Sequence, residues 1–364
     1  MSLTNYKDVY KIWVFAPYLE TDDPTLKLYY DFNQSIEEFN EAFTEIGVGW
    51  EWVNVTVNNI QQKIDLVKSN TQKKNIVFNL CDGDEINQTP GISVIHALKA
   101  NNIVFTGSEI HFYNVTTSKV TMKKAFDKQF VETPKWRKLN GHIDKDLFGK
   151  VGTPIIVKPA VSAGSMGISL TNVVTNNEEL QSALNRVKQG YKGWKLDEDG
   201  ILAEQFIIGR EFTVMLVGSY TNPKKIKFYQ PVERVFHPTL PEKEQFLSFD
   251  RLWAYYQEEA RMPNDDDFYD YAPVQDPQLV ERIKELSIKA YLSVEGTGYT
   301  RIDIRMDKTT GELYVLEVNA QCGLSKDEDQ TSIGAILRVS GKTFTDLVVE
   351  VLDDALDRHN PTPL

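Results

Sequence analysis

Apolar residues recur along the chain with two different periods, and the alternation between them sets the expected architecture. Short β-branched or aromatic runs at Ile12 to Phe15, Ile76 to Leu80 and Ile103 to Phe105 read as strands, and Ile92 to Ala100, just before the last, reads as a helix. Strands alternating with helices predict a parallel sheet, whose ligands gather beyond the carboxyl ends of the strands. Cys81-Asp82-Gly83-Asp84 stands at such an end. Further on, Ile155 to Val157 and Glu211 to Val217 read as strands, and Leu180, Ala183, Leu184 and Val187 keep helical spacing. A polar stretch rich in Asp and Tyr follows between Pro238 and Ala272. Then Asp276 can cap a helix that Pro277 opens and along which Leu279, Ile283, Leu286 and Ala290 form one apolar stripe.

Gly296-Thr297-Gly298 ends that helix and leads into a hairpin. Alternating runs, Tyr299 to Met306 and Leu313 to Val318, flank the turn-forming Asp307-Lys308-Thr309-Thr310-Gly311. With the turn centred near Thr310, Asp303 falls opposite Glu317 and Arg301 opposite Asn319. Side chains alternate across a sheet, so these four polar groups share one face while Ile302, Ile304, Leu316 and Val318 point the other way. Two carboxylates and an amide oxygen are hard ligands suited to Mg²⁺, which also keeps waters and binds substrate phosphates. A solvated hairpin face with a cross-strand pair is the competing reading of these residues taken alone.

The segment Ile155 to Ser169 changes that balance. Its β-branched run ends in Lys158-Pro159 and gives way to Ser162-Ala163-Gly164-Ser165-Met166-Gly167-Ile168-Ser169. Small residues let backbone N–H groups close on phosphate oxygens, and a lysine at the strand end supplies a point charge. The order of residues matches neither a P-loop nor Gly-x-Gly-x-x-Gly. A phosphate cradle followed by a Mg²⁺ face argues for a nucleoside triphosphate.

Composition fits a small-molecule enzyme. A chain of 364 residues exceeds one ordinary core and suits two or three α/β domains, and 41% hydrophobic with 25% charged residues is a globular balance. The net charge of -12 argues against a general nucleic-acid surface. There is no apolar run of membrane-spanning length and no signal-peptide pattern, and Cys81 and Cys322 are the only cysteines, so the expectation is a cytoplasmic protein without a disulfide framework.

Lys158 in Ile-Val-Lys-Pro, the glycine and serine loop, Glu204-Gln205-Phe206-Ile207, Arg210-Glu211-Phe212-Thr213, Arg301-Ile302-Asp303 and Leu316-Glu317-Val318-Asn319 resemble the ordered motifs of ATP-grasp enzymes. Within that superfamily the chain most resembles D-alanine:D-alanine ligases, from about Asn75 onward. The resemblance implies an α/β fold of three domains: a Rossmann-like parallel sheet in residues 1–117, a central α+β domain in 118–206 with the phosphate loop, and a C-terminal α+β domain in 207–364 with the Mg²⁺ site, the last two sandwiching ATP. It also implies a reaction in which ATP phosphorylates a carboxylate and an amine displaces phosphate from the acyl phosphate.

The same resemblance assigns roles. Asp303, Glu317 and Asn319 match the Mg²⁺ ligands, with two ions expected and Mn²⁺ as an alternative. Arg301 matches the arginine that stabilises the transferring phosphoryl group, and Gly323 offers an N–H to the tetrahedral oxyanion. Lys119 and Lys158 match lysines on the ATP phosphates, whereas Lys123, Lys124 and Lys128 read as a solvated helix face. Gly164, Ser165, Met166 and Gly167 form the loop that closes over the acyl phosphate, with Ser165 as its hydroxyl. Glu204, Gln205, Phe206 and Ile207 form the adenine-binding strand through their backbone, and Glu211 accepts from the ribose hydroxyls. The expected substrates are a small carboxylate and an amine, with a homodimer as the family's usual assembly.

The amino-acid half of the pattern diverges. Ala16-Pro17-Tyr18-Leu19-Glu20-Thr21-Asp22 stands where the family has Gly-Gly-x-Ser-x-Glu, Cys81-Asp82-Gly83 where it has His-Gly, and Cys322 in place of a proline. Thr331 or Ser332 is the counterpart of a serine that binds the second carboxylate. Asp82 and Asp84 are candidates to hold an ammonium group in place of the missing Glu, with ordinary turn residues as the alternative. Arg251 is a candidate replacement for a further phosphate-binding lysine. The reading is an ATP-dependent carboxylate–amine ligase; a ligase for a peptide or non-amino-acid substrate, or a small-molecule kinase, keeps the same ATP residues.

Overall fold

Three sheets organise the chain in a computed structural model that describes residues 4–23, 27, 30–139, 144, 146–253 and 259–359. The first is parallel and comprises β1 (Tyr10–Pro17), β2 (Gly49–Val55), β3 (Lys74–Asn79) and β4 (Val104–Phe105), in the order β2-β1-β3-β4. Its central strand is buried on both faces. Ile12 and Val14 join Phe39 and Phe43 of the helix Asn33–Ile46, whereas Trp13 and Phe15 join Val67 of Ile60–Ser69 and Leu98 of Ile92–Ala100. A strand covered on both sides reads as an unbroken apolar run, which is why Ile12 to Phe15 shows no alternation.

The second sheet is antiparallel: β5 (Trp136–Leu139), β6 (Ile155–Pro159), β7 (Val173–Val174) and β8 (Ile201–Gln205), ordered β5-β8-β6-β7. The helix Asn177–Gln189 lays Leu180, Ala183, Leu184 and Val187 on Ile155 and Val157, and Asn176 caps its first N–H groups. The third sheet runs β12 (Tyr269–Pro273), β11 (Val232–Phe236), β9 (Gly209–Val217), β13 (Tyr299–Asp307) and β14 (Leu313–Ala320), with β10 (Lys227–Phe228) beside β9. The helix Pro277–Ser293, capped by Asp276, covers one of its faces, where Phe212, Val214, Ile302, Ile304, Val315 and Val318 are buried. Alternation therefore sends Glu211, Thr213, Arg301, Asp303 and Arg305 to the opposite face.

The hairpin β13–β14 pairs Arg301 with Asn319 and Asp303 with Glu317, as the turn composition suggested. One expectation fails beyond that point. The register shifts after Asp303, so Ile304 pairs with Val315 and Leu316 is the extra residue of a β-bulge. Val315 fills the buried position expected of Leu316, which is only half-buried.

Packing crosses the sequence order in two places. The helix Lys119–Lys128 follows the first sheet, yet its Met122 and Phe126 are buried in the core of the third sheet. The helix Phe344–His359 returns to cover the first sheet through Phe344, Leu347 and Val348. Gln321, at the end of β14, donates to the Cys81 carbonyl at 2.9 Å and accepts from the Ser108 N–H at 3.1 Å, which fixes the ends of β14 and β3 side by side. Among the described residues no helix is long and apolar enough to cross a membrane.

Candidate active site

Lys119 joins the two segments singled out in the sequence. Its backbone N–H donates to the Ala160 carbonyl, and its ammonium lies 3.0 Å from the Ser162 carbonyl and 3.8 Å from Glu317 Oε2. Lys119 thus brings the phosphate loop and the hairpin face to either side of one ammonium. Burial lowers the Lys119 ammonium, Glu317 opposes that shift, and Lys158 adds to it. On the hairpin, Arg301 Nη2 approaches Asp303 Oδ2 at 3.0 Å and Thr213 donates to Oδ1 at 2.9 Å. Burial alone would raise the Asp303 carboxyl, but the guanidinium groups of Arg301 and Arg234 hold it below the usual range. The Asn319 amide is 3.2 Å from the same carboxylate.

These residues suit a divalent cation. Asp303 and Glu317 are carboxyl oxygen donors on neighbouring strands with an amide beside them. Among the described residues no three His, Cys, Asp or Glu side chains converge as a metal cluster, so a cation here would complete its shell from water and phosphate oxygens.

Several residues sit differently from expectation. Lys123 is not solvated: its side chain is 1% exposed and its ammonium lies 2.6 Å from the equally buried Glu204 carboxylate. Lys158 approaches the other Glu204 oxygen at 2.7 Å. Burial would raise the Glu204 carboxyl, but the two lysines hold it below its usual range. In the strand expected to read adenine, the Gln205 and Phe206 N–H groups already donate to Lys135 and Pro154, and the Ile207 carbonyl accepts from Arg305. Glu211 is held by two buried guanidinium groups, Arg234 on Oε1 and Arg305 on Oε2 at 2.9 Å.

In the loop, Gly164, Ser165 and Gly167 adopt positive φ. Met166 is a core residue whose N–H donates to Ala163, and the Ser165 hydroxyl donates to the Leu247 carbonyl at 3.0 Å. Arg251 turns inward, 3% exposed, with its Nε 3.1 Å from Glu259, so it does not face the cleft. A Cβ at Gly323 would meet nothing within 4 Å. Thr331 caps the helix Ser332–Ser340 by accepting from the Gly334 N–H and donating to the Asp327 carbonyl, while Ser332 is buried beside it. Asp84 is occupied by Asn87, whereas Asp82 is open to solvent.

Residues 124–353, more than half of the chain, match the family described as D-ala D-ala ligase C-terminus. The chain belongs to the D-Ala-D-Ala ligase family. D-alanine–D-alanine ligase B of Chromobacterium violaceum is 27% identical over 258 residues, covering 71% of this chain and 73% of that protein. The D-alanine–D-alanine ligase of Xanthomonas axonopodis pv. citri is 26% identical over 284 residues, covering 77% and 78%. The solved structure of the Bacillus anthracis ligase complexed with ATP superposes with a TM-score of 0.64 over 96% of this chain and 98% of that one, at 18% identity, and shares the fold. This family member is an ATP-dependent ligase that forms an amide bond.

Three buried cations of this ligase were given no role from its sequence: Arg305 and Arg234 were not singled out, and Lys123 was read as solvated. Arg305 continues the alternation of Arg301 and Asp303, so period two carried a signal for it. Lys123 lies four residues after Lys119, on the same helix face, so helical spacing carried one too. Arg234 pairs with Glu211 across strands separated by a long connection, and nothing local in the sequence marks it.

Proposed function

We propose that the enzyme couples two small molecules, most simply amino acids, by activating a carboxylate as an acyl phosphate. The observation that supports this reading is the position of Lys119, in contact with the glycine-rich loop and 3.8 Å from the Glu317 carboxylate of the hairpin. In this scheme Lys119 and Lys158 bind the triphosphate, and Arg301 faces the phosphoryl group in flight as a fixed, permanently charged donor. A substrate carboxylate oxygen attacks the γ-phosphorus as the bond to the ADP oxygen breaks. The amine then adds to the acyl carbon, inorganic phosphate leaves with the C–O electron pair, and the nitrogen loses a proton to solvent. The loop from Gly164 to Gly167 closes over the mixed anhydride and excludes water, with Ser165 exchanging its Leu247 contact for the intermediate.

Asp303, Glu317 and Asn319 are the residues that would hold magnesium, two ions with nucleotide bound and Mn²⁺ as a substitute. Bound metal supplies neutralisation of charge on the triphosphate oxygens. The base would sit against the apolar cluster of Ile156, Ile168, Phe206 and Phe246, and Glu211 would meet the ribose through the lone pairs its two arginines leave. Family resemblance supports a homodimer working in the cytoplasm.

The test is Mg²⁺-dependent ADP release from pooled D- and L-amino acids and dipeptides, with the product identified by mass. A product one water lighter than the two substrates, formed only when both are present, is the expected result. A phosphorylated product without an amine requirement would make the protein a kinase, and a product containing a peptide would move the acceptor to that class.

A further inference from the structure

The loop that follows β3 reaches across to the segment behind the phosphate loop through the side chain of Asn87. Its amide makes a reciprocal pair with the main chain of Lys195: Oδ1 accepts from the Lys195 N–H at 2.9 Å, and Nδ2 donates to the Lys195 carbonyl at 3.3 Å. The side chain pairs with that residue as a neighbouring strand would. Asp84 fixes the amide from the other side, accepting from Asn87 Nδ2 at 2.9 Å and from the Asn87 N–H at 3.0 Å. The two Nδ2 hydrogens thus have two acceptors, which sets the plane of the amide.

Both ends of this tie are braced. On the side of the first sheet, the Gly83 and Glu85 N–H groups donate to the Pro90 and Thr89 carbonyls, and the Tyr113 hydroxyl donates to the Gly83 carbonyl at 2.7 Å. The Glu85 carboxylate also accepts from the Ser93 N–H at 2.6 Å, at the start of the helix Ile92–Ala100. The loop therefore moves with its sheet. On the other side, Tyr191 and Trp194 exchange N–H···O=C bonds in both directions, which closes a tight turn shortly before Lys195 and Leu196. Leu196, 2% exposed, shares a buried cluster with Met166 of the phosphate loop. Its Cδ1 lies 2.3 Å from the point that a Cβ on Gly167 would occupy, and Gly167 has φ +76°. Behind the same loop a cavity of ≈ 170 Å³, with Gly167, Ile168, Tyr191 and Leu196 in its wall, leaves the loop room to recede. A loop with space behind it is placed by its few contacts and not by a packed core.

We propose that Asn87 is a positioning residue for the phosphate loop. By tying Lys195 to the braced loop after β3, it holds Leu196 against Gly167 and keeps Gly164 to Gly167 in place over the reacting centre, so that the acyl phosphate waits for the amine without meeting water. This rests on the ligase reading above. Without the tie, ATP still phosphorylates the carboxylate, but water adds to the acyl carbon, inorganic phosphate leaves with the C–O electron pair, and the added oxygen loses a proton to solvent. The acid is regenerated, and the net result is hydrolysis of ATP with no amide bond. Lys195 acts through its backbone alone, and its side chain is exposed.

The test counts ADP released against amide formed, using the amino-acid pair that gives most product in the pooled assay, with MgATP affinity measured separately by calorimetry. Wild type should stay near one ADP per amide. Asn87→Ala should raise the ADP released without amide on the order of 10-fold, the scale of losing one or two neutral hydrogen bonds, while binding MgATP as wild type does. Lys195→Pro, which removes the N–H from the other partner, should do the same, whereas Lys195→Ala keeps both backbone groups and should match wild type. A merely structural defect would instead lower ADP and amide together. Coupling that stays at the wild-type ratio in Asn87→Ala overturns the proposal and leaves the ligase reading standing. So does a parallel fall in ADP, amide and MgATP affinity in Asn87→Ala, or leakage in Lys195→Ala as large as in Asn87→Ala. No amide from wild type with any pool overturns the ligase reading and this proposal together.

Discussion

Replacing Glu204 by Gln isolates the energetics of the buried charge cluster. In the native protein one carboxylate, 1% exposed, lies between Lys123 at 2.6 Å and Lys158 at 2.7 Å. Lys158 is 16% exposed and can turn its ammonium toward the cleft, but Lys123 is 1% exposed and its remaining acceptors are the Thr133 hydroxyl and the Val315 carbonyl. Glu204→Gln keeps the shape and removes the charge, so Lys123 stays buried with neutral acceptors only. Removing one partner of a buried pair typically costs about 3–5 kcal/mol. For a chain of 364 residues unfolding as one unit that is a fall in Tm of about 4–7 °C, readable by scanning calorimetry.

The sign with pH follows from linkage. In the variant, the folded state depresses the Lys123 pKa below its unfolded value and binds fewer protons than the unfolded chain, so stability rises with pH as Lys123 becomes neutral. The defect should be largest near pH 6 and shrink toward pH 9. The double variant Lys123→Met/Glu204→Leu, which removes both buried charges, should recover most of the loss. A pH-independent loss below about 1 kcal/mol for Glu204→Gln would refute the account, because Lys123 would then have another way to discharge its desolvation.

Two shorter expectations follow from the same cleft. Arg301→Met should lower kcat for ADP formation by about 10²–10³-fold, as for loss of one donor to developing charge, with a much smaller loss of nucleotide affinity; a loss in MgATP binding as large as the loss in kcat would place Arg301 wholly in ground-state binding instead. Burial pushes the Cys322 thiol up to about 12, against the pull of Arg301, and pushes Cys81 up as well. At pH 8 roughly one Cys322 in 10⁴ would then be a thiolate, so iodoacetamide should leave both cysteines unmodified by mass until the protein is denatured. Stoichiometric alkylation of the native protein would contradict their burial.

What the sequence made legible was periodic or motif-bound. Alternation alone pairs Asp303 with Glu317, because side chains two apart share a face and the turn residues fix the centre. It fails one residue later, at the bulge by Leu316, because an inserted residue leaves no mark in a run where Val315, Leu316 and Val318 are all apolar. The strand Gly49–Val55 escaped for a related reason: it is an edge strand, and Trp50 and Trp52 are only half-buried, so its pattern is neither continuous nor cleanly alternating. Lys123 was misjudged because a lysine in a polar helical stretch is usually wet. Its burial depends on Glu204, far along the chain, and no local rule reports a partner of that kind.

The pairing of the cleft's charges has a consequence for how nucleotide and metal enter. The three cations expected at the phosphates are each engaged with a carboxylate: Lys119 with Glu317, Lys158 with Glu204 and Arg301 with Asp303. Two of those carboxylates are also the expected metal ligands. Nucleotide alone would draw Lys119 and Arg301 away and leave Glu317 and Asp303 uncompensated near the triphosphate, whereas metal alone would displace two cations with nothing to receive them. Each ligand should therefore strengthen the other, by the same factor in both directions. Asp303→Asn separates this exchange from simple metal bridging. Removing that charge frees Arg301 and deletes a repulsive neighbour, so the variant should bind ATP in the presence of chelator more tightly than wild type while losing most of the gain on adding magnesium. Weaker metal-free binding by Asp303→Asn than by wild type would show that the Arg301 pair does not compete with the nucleotide, and the exchange would have to be abandoned.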